Sequence, residues 1–281
     1  MERLEIITFA SKPKLCETEL QKWGEANRVT FEPDKQHMSI ISLHEPEGDD
    51  FKMMGIWFDT TLNMGRAITE MCNKLRWKIT TLLRSNAIFD TKGLIKQFKS
   101  RVLSYVECRT AAIYHANATA LDAVDRQFNR FLRDIGLTRL EALMEFHLAP
   151  LKSRKDMAMF GVIHRAVLGL GPEQVRNHFI GVSASAHPDG RNTLRRHSRQ
   201  LQSYRSGKFL EITAFSILGL IDVYNLLPER IVRKECVHTF QRALQEILKD
   251  AATNGNINWE EMFPPEDFFT LQPTEEAYNG M

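Results

Sequence analysis

Residues 124–172 read VDRQFNRFLRDIGLTRLEALMEFHLAPLKSRKDMAMFGVIHRAVLGLGP, and three helices with their stops are written into them. Leu121, Val124, Phe128, Phe131, Leu132 and Ile135 recur at helical spacing, and Gly136 stands where a left-handed stop is wanted. Thr138 and Glu141 have the spacing of a capping box for a second helix. Pro150 is placed to open a third, which runs through Met157, Phe160 and Ile163 and ends at the cluster from Gly169 to Pro172. A chain with this centre is expected to be mainly α.

The pattern extends toward the N-terminus. Met64, Ile68, Met71, Leu75, Ile79 and Leu82 form a stripe at helical spacing, the mark of a buried helix face. Asp90 or Thr91 caps the next helix, with Leu94, Phe98, Val102 and Tyr105 as its inner face. Lys92, Lys96 and Lys99 lie off that face at i, i+4 and i+7, and Arg126, Arg130 and Arg133 repeat the spacing opposite Phe128 and Phe131.

Residues 1–63 mix helix and strand. Leu4, Ile6 and Ile7 suggest a strand, and Ser11 caps a helix that contains Pro13, Cys16, Leu20 and Trp23 and stops at Gly24. Val29 to Phe31 and Met38 to Ser42 read as strands about a turn, and Phe51 to Phe58 as a third strand after the acidic loop from Glu45 to Asp50. At the other end, residues 181–208 read as a basic linker carrying Arg191, Arg195, Arg196, Arg199, Arg205 and Lys208, with Tyr204 among them. Residues 209–263 are expected to be a C-terminal helical region. There Phe215, Leu218, Ile221 and Tyr224 share a face, Pro228 opens a long helix through Cys236, Phe240 and Leu244, and Trp259 and Phe263 dock on the body. Residues 264–281 form an acidic tail. The expected divisions are therefore 1–63, 64–180, 181–208, 209–263 and 264–281.

The formal net charge of +2 conceals an asymmetry. Residues 1–63 hold 7 Lys and Arg against 12 Asp and Glu; residues 64–180 hold 19 against 10, net +9; residues 181–281 hold 11 against 13. A basic middle between acidic ends points to a localised polyanion-facing surface, although solvated helix faces give the same pattern. Cys16, Cys72, Cys108 and Cys236 are far apart with no C-x-x-C, so buried free thiols in a reducing compartment are expected. No signal peptide is legible and no apolar run reaches the ~20 residues needed to cross a bilayer, so an intracellular protein, cytoplasmic or nuclear and away from membranes, is expected.

Several of these stretches resemble known sequences. FLRDIG (131–136), LAPLKSRKDMAMFGVIHRAVLGLGP (148–172) and SRVLSYVECRTAAIYHA (100–116) are similar to the region after the polymerase active site in reverse transcriptases of non-LTR (LINE-type) retrotransposons. The wording is nearest to elements abundant in dinoflagellate algae. WGEANRVTFEPDKQHMSIIS (23–42) resembles the helix-and-loop motif that follows the catalytic carboxylates, and FKMMGIWFD (51–59) the primer-gripping hairpin, with Met54-Gly55 where Leu-Gly is usual. The resemblance covers roughly residues 17–240 and weakens through SILGLIDVYNLLPERIV (216–232). It implies an RNA-directed DNA polymerase whose palm ends in residues 1–63 and whose thumb follows. Lys35 would stand near the incoming triphosphate, as a charge partner or proton donor. Lys92, Lys96, Lys99, Arg126, Arg130, Arg133, Arg195, Arg196 and Arg199 would face the RNA or RNA–DNA duplex backbone. The missing palm and fingers of a parent polymerase would be partners.

The family's chemistry needs divalent ions held by paired carboxylates, and the Tyr/Phe-x-Asp-Asp motif is absent. Asp49-Asp50, the one Asp-Asp pair, follows the Lys35 loop instead of preceding it and reads as a solvated loop tip. No cofactor or metal is therefore expected in this chain, Mg²⁺ being implied only for a full-length parent. His115, His147, His164, His187 and His197 lack ligand spacing. The expectation is a truncated, non-catalytic piece of such a polymerase with sequence-independent nucleic-acid binding. Two alternatives stand beside it: a helical protein-interaction module, and the C-terminal part of an active polymerase whose start is misplaced.

Overall fold

The computed structural model describes residues 17–32, 39–41, 45–182, 197–204, 216–261 and 263. The chain divides into two compact units, Met1–Leu62 and Asn63–Met281. Helix accounts for 59% of the structure and strand for 5%, so the mainly α class with a small α+β part is the architecture adopted.

In the first unit α1 covers residues 17–26. It closes at Arg28, not at Gly24 as its sequence suggested. Arg28 is left-handed at φ 56°, and the amides of Arg28 and Val29 return to the carbonyls of Glu25 and Gly24, the usual double closure of a helix end. Gly24 serves a close approach: a Cβ there would stand 2.5 Å from the Phe31 ring. With the Val29 amide committed to the helix end, residues 29–32 carry no strand. Ile40 makes a single antiparallel bridge to Glu47. The stretch 51–58, a single strand by its pattern and a hairpin by its resemblance, is a hairpin: β1 (Phe51–Met53) pairs antiparallel with β2 (Ile56–Phe58), Phe51 opposite Phe58. Met54 and Gly55 both have positive φ, 50° and 81°, which is the two-residue turn whose twist suits a hairpin. The rings of Phe51 and Phe58 stack at 5.6 Å.

The second unit begins with α2 (Gly65–Leu83), and all six residues of the expected stripe are buried. The Asp90 carboxylate accepts from the Gly93 amide at 2.8 Å and starts α3 (Thr91–Phe98). A π turn at Lys99–Leu103 carries that helix into α4 (Ser104–Glu107). There follow α5 (Thr110–Ile113), α6 (Ala118–Asp134), α7 (Arg139–Phe146), α8 (Leu151–Val167), α9 (Glu173–Arg176), α10 (Leu220–Tyr224), α11 (Glu229–Val232), α12 (Val237–Thr253) and a 3₁₀ turn at Trp259–Glu261. The capping box at Thr138 is closed in both directions. Gly136 and Gly169, at φ 75° and 73°, end α6 and α8. In each case the following amide, Leu137 or Leu170, reaches back to the carbonyl of Leu132 or Arg165.

Two apolar centres result. In one, α2 packs along α6 while Phe98 stacks on Phe131 at 4.1 Å and tilts against Phe128 at 5.7 Å. In the other, Phe160 and Ile163 of α8 meet Tyr224 of α10 and Phe240 and Leu244 of α12, and Phe263 lies edge-on to Phe160 at 5.5 Å. α8 belongs to both, because Leu151 lines a void with Ile79, Phe98 and Val124. The core therefore runs across the boundaries expected at 180 and 209. Residues 197–204 are no free linker either: His197 and Leu201 are buried, and the Asn225 amide clamps Leu201 by two 2.8 Å bonds.

The helix expected to run on from Pro228 is broken. α11 stops at Val232, and α12 starts only at Val237. The carbonyls of Val232 and Lys234 accept from side chains of Arg199 and His164, where a continuous helix would have them accept from amides four residues on. Of the three cysteines described, Cys72 is buried, whereas Cys108 and Cys236 are exposed, against the expectation of buried thiols.

Replacing Phe98 by Ala is expected to lower unfolding free energy by about 3–5 kcal/mol in urea titration. Trp77→Ala, at 69% exposure, should change it by no more than about 0.5 kcal/mol.

Candidate nucleic-acid interface

α6 is amphipathic in the manner its sequence requires. Val124, Phe128, Phe131 and Leu132 are buried, and Arg126, Arg130 and Arg133 are exposed on the opposite side. Arg130 and Arg133 lie 3.5 Å and 3.9 Å from the Asp134 carboxylate. Asp134 and the exposed Asp122, four residues before Arg126, set two carboxylates against three guanidinium groups, which leaves the face positive, and such exposed pairs hold their partners weakly. The face continues onto α2. Burial pushes the Cys72 thiol up, while Arg76 of α2 and Arg126 of α6 both pull it down, so both guanidinium groups lie within electrostatic reach of Cys72.

The lysine triad does not survive as one surface. Lys92 and Lys96 are exposed. Lys99 is half-buried, and its ammonium donates to the Phe146 carbonyl at the end of α7. Burial, and then the Arg154 charge, depress its pKa. Lys99 is a helix-end tie. Arg199 is similar: its Nη1 donates to the carbonyls of Val232 at 2.6 Å and Lys234 at 2.9 Å. Lys35, Arg195 and Arg196 lie outside the described residues. Met54 and Gly55 form the hairpin turn, with Met54 94% exposed.

Aromatic groups accompany the cations. The Tyr105 ring lies between Arg109, whose guanidinium carbon is 3.9 Å from the ring centre, and Lys78, whose ammonium is 5.3 Å away. Arg109 follows Tyr105 at i+4, a spacing the sequence shows, whereas Lys78 comes from α2 and only tertiary packing brings it to the ring. Trp77 was legible, because it falls opposite the α2 stripe where only solvent or a partner can meet it. An exposed indole beside basic side chains suits stacking on nucleobases.

The histidines described in the core are structural. His164 Nε2 is 2.7 Å from the Lys234 carbonyl and Nδ1 is 3.0 Å from the Tyr224 hydroxyl. The carbonyl can only accept, so Nε2 carries the proton and Tyr224 donates to Nδ1. Burial lowers the His164 pKa and keeps the ring neutral. Among the described residues no group of three or more His, Cys, Asp or Glu is placed to hold a metal ion. Asp49 and Asp50 are both exposed. The carboxyl groups of Asp125 and Asp156 stand near lysines, and burial raises both to about 6.

Comparison of the chain with protein-family models, curated proteins and solved structures finds no match. No helix among the described residues is long and apolar enough to cross a membrane.

Arg199→Ala is expected to destabilise the chain by about 1–3 kcal/mol in thermal or urea unfolding, since it strips the Val232 carbonyl of this donor and leaves the Lys234 carbonyl with His164 alone, and to leave the salt dependence of polyanion binding unchanged. The Glu229 carboxyl, held down to about 2 chiefly by the Ser198 hydroxyl and amide, contributes stability above its ordinary range that is lost as pH falls toward 2. In Ser198→Ala, carboxyl NMR should show Glu229 titrating at higher pH.

Proposed function

We propose that the chain is part of an RNA-directed DNA polymerase of a non-LTR retrotransposon, without its paired-Asp metal site. It binds RNA or an RNA–DNA duplex through the phosphate backbone, independently of sequence. The exposed arginine face of α6, Arg126, Arg130 and Arg133, extended by Arg76 of α2, carries this reading. It lies within the segment of net charge +9. Each phosphate neutralised there releases a condensed counterion, so affinity falls as salt rises. Contacts of this kind follow backbone and shape and carry no base specificity. Lys92 and Lys96 add to the surface, and Trp77 offers a stacking plane. Lys99 and Arg199, committed to carbonyls inside the protein, are removed from the binding set. Templated synthesis requires the palm and fingers of the parent, and Mg²⁺ belongs to that assembly. The compartment that fits a nucleic-acid partner and unpaired thiols is intracellular.

A second reading has one observation in its favour. In the first unit Leu20, Trp23, Ile41 and Met54 are exposed apolar side chains, as a protein-interaction module would display them.

The test is fluorescence anisotropy of the chain on a labelled RNA–DNA hybrid across a salt series. Binding should weaken steeply with salt. Arg126→Glu, Arg130→Glu and Arg133→Glu together should reduce the log–log slope by about 2–3. Absence of binding at low salt by the folded chain overturns the proposal and leaves the interaction module in front. Templated primer extension by this chain alone would overturn its non-catalytic part.

A further inference from the structure

α2 turns one side to solvent, and a single large apolar side chain stands in the middle of it. Trp77 is 69% exposed. Among the described residues no ring, cation or hydrogen-bonding group engages its indole. It lies opposite the buried stripe of Met71, Leu75, Ile79 and Leu82, so burial of that stripe holds the indole outward. One exposed apolar residue is ordinary on a protein surface. Its surroundings here are not.

α2 carries Arg66, Lys74, Arg76 and Lys78 against Glu70 alone, and Arg84 follows its last turn. Lys74 precedes Trp77 by three residues and Arg84 follows it by seven, and both are exposed, so they line the same side along the helix axis. Across the axis Arg76 and Lys78 diverge from Trp77 by about 100° to either side. Arg76 is exposed. The Lys78 ammonium lies 5.3 Å from the centre of the Tyr105 ring, and the Arg109 guanidinium carbon lies 3.9 Å from the same centre. Tyr105 is therefore engaged by cations and steadies them, whereas the Trp77 ring is open. An open indole bordered by ammonium and guanidinium groups matches a nucleobase stacked on the ring with its flanking phosphates on the cations. A duplex interior does not fit, because its bases are stacked on one another and present only their edges.

We propose that the Trp77 side of α2 binds unpaired nucleotides, so that the chain prefers a hybrid with a single-stranded extension to a blunt one. This rests on the reading of the α6 arginine face as the duplex contact, and it adds a base-dependent component that phosphate contacts lack. Every base has a π-face, so the preference is for unpaired bases and not for a base order. The indole is uncharged, so its share of the affinity persists as salt rises while that of the cations falls.

Fluorescence anisotropy of the whole chain tests this on a blunt RNA–DNA hybrid, on the same hybrid with a single-stranded extension of about eight nucleotides, and on that hybrid with an abasic extension. Trp77→Ala should weaken binding of the base-bearing extension about tenfold, leave the blunt and abasic hybrids unchanged and keep the salt slope. Trp77→Phe should restore part of the loss. Arg126→Glu, Arg130→Glu and Arg133→Glu together should weaken all three hybrids and preserve the ratio between base-bearing and abasic extensions. The free extension strand, base-bearing against abasic, reads α2 without the duplex. Discrimination there that disappears in Trp77→Ala upholds the α2 contact even where the α6 reading fails. Equal binding of base-bearing and abasic strands, a Trp77→Ala loss that is the same for every ligand, or no binding of any strand overturns it.

Discussion

The larger unit depends on how α8 is buried. Its apolar face supplies Phe160 and Ile163 to one centre and Leu151 to the other. Its buried polar groups need partners that only other elements can provide, because a buried polar group left unpaired costs more than a made bond contributes. Ser153 donates to the Glu260 carbonyl at 2.7 Å. Asp156 accepts from Tyr114. His164 lies flat on Phe240 at 3.9 Å with both nitrogens satisfied. Gly161 leaves room for Gln241, which donates to the Met157 carbonyl; an added Cβ would stand 2.3 Å from the Gln241 nitrogen. Each bond fixes the position of an element distant in sequence, so the helix acts as a template for docking.

The same demand explains the interruption between α11 and α12. Carbonyls that would have continued the helix are accepting from Arg199 and His164. Glu229 anchors the other side through Ser198 and Arg233. A segment that reads as a basic linker is in this way partly built into the core. Positive charge counted along a chain overstates the positive surface when some guanidinium and ammonium groups cap helices internally.

The proposed nucleic-acid surface is correspondingly smaller than the charge count suggests. The arginines of α6 project away from Phe128 and Phe131 because helical geometry leaves them no other direction, and Arg76 joins them from α2.

Much of the fold was legible in the sequence. The Met64 to Leu82 stripe, the Thr138 capping box and the stops at Gly136 and Gly169 all follow from local rules, since periodicity and caps involve residues within a few positions of one another. The arginine face of α6 was legible for the same reason. Tertiary structure alone decided the rest. Lys99 meets Phe146 across 47 residues, His164 meets Lys234 across 70, and Ser153 meets Glu260 across 107. A side chain's role then depends on which distant carbonyl or carboxylate packing places beside it, and no spacing along the chain encodes that.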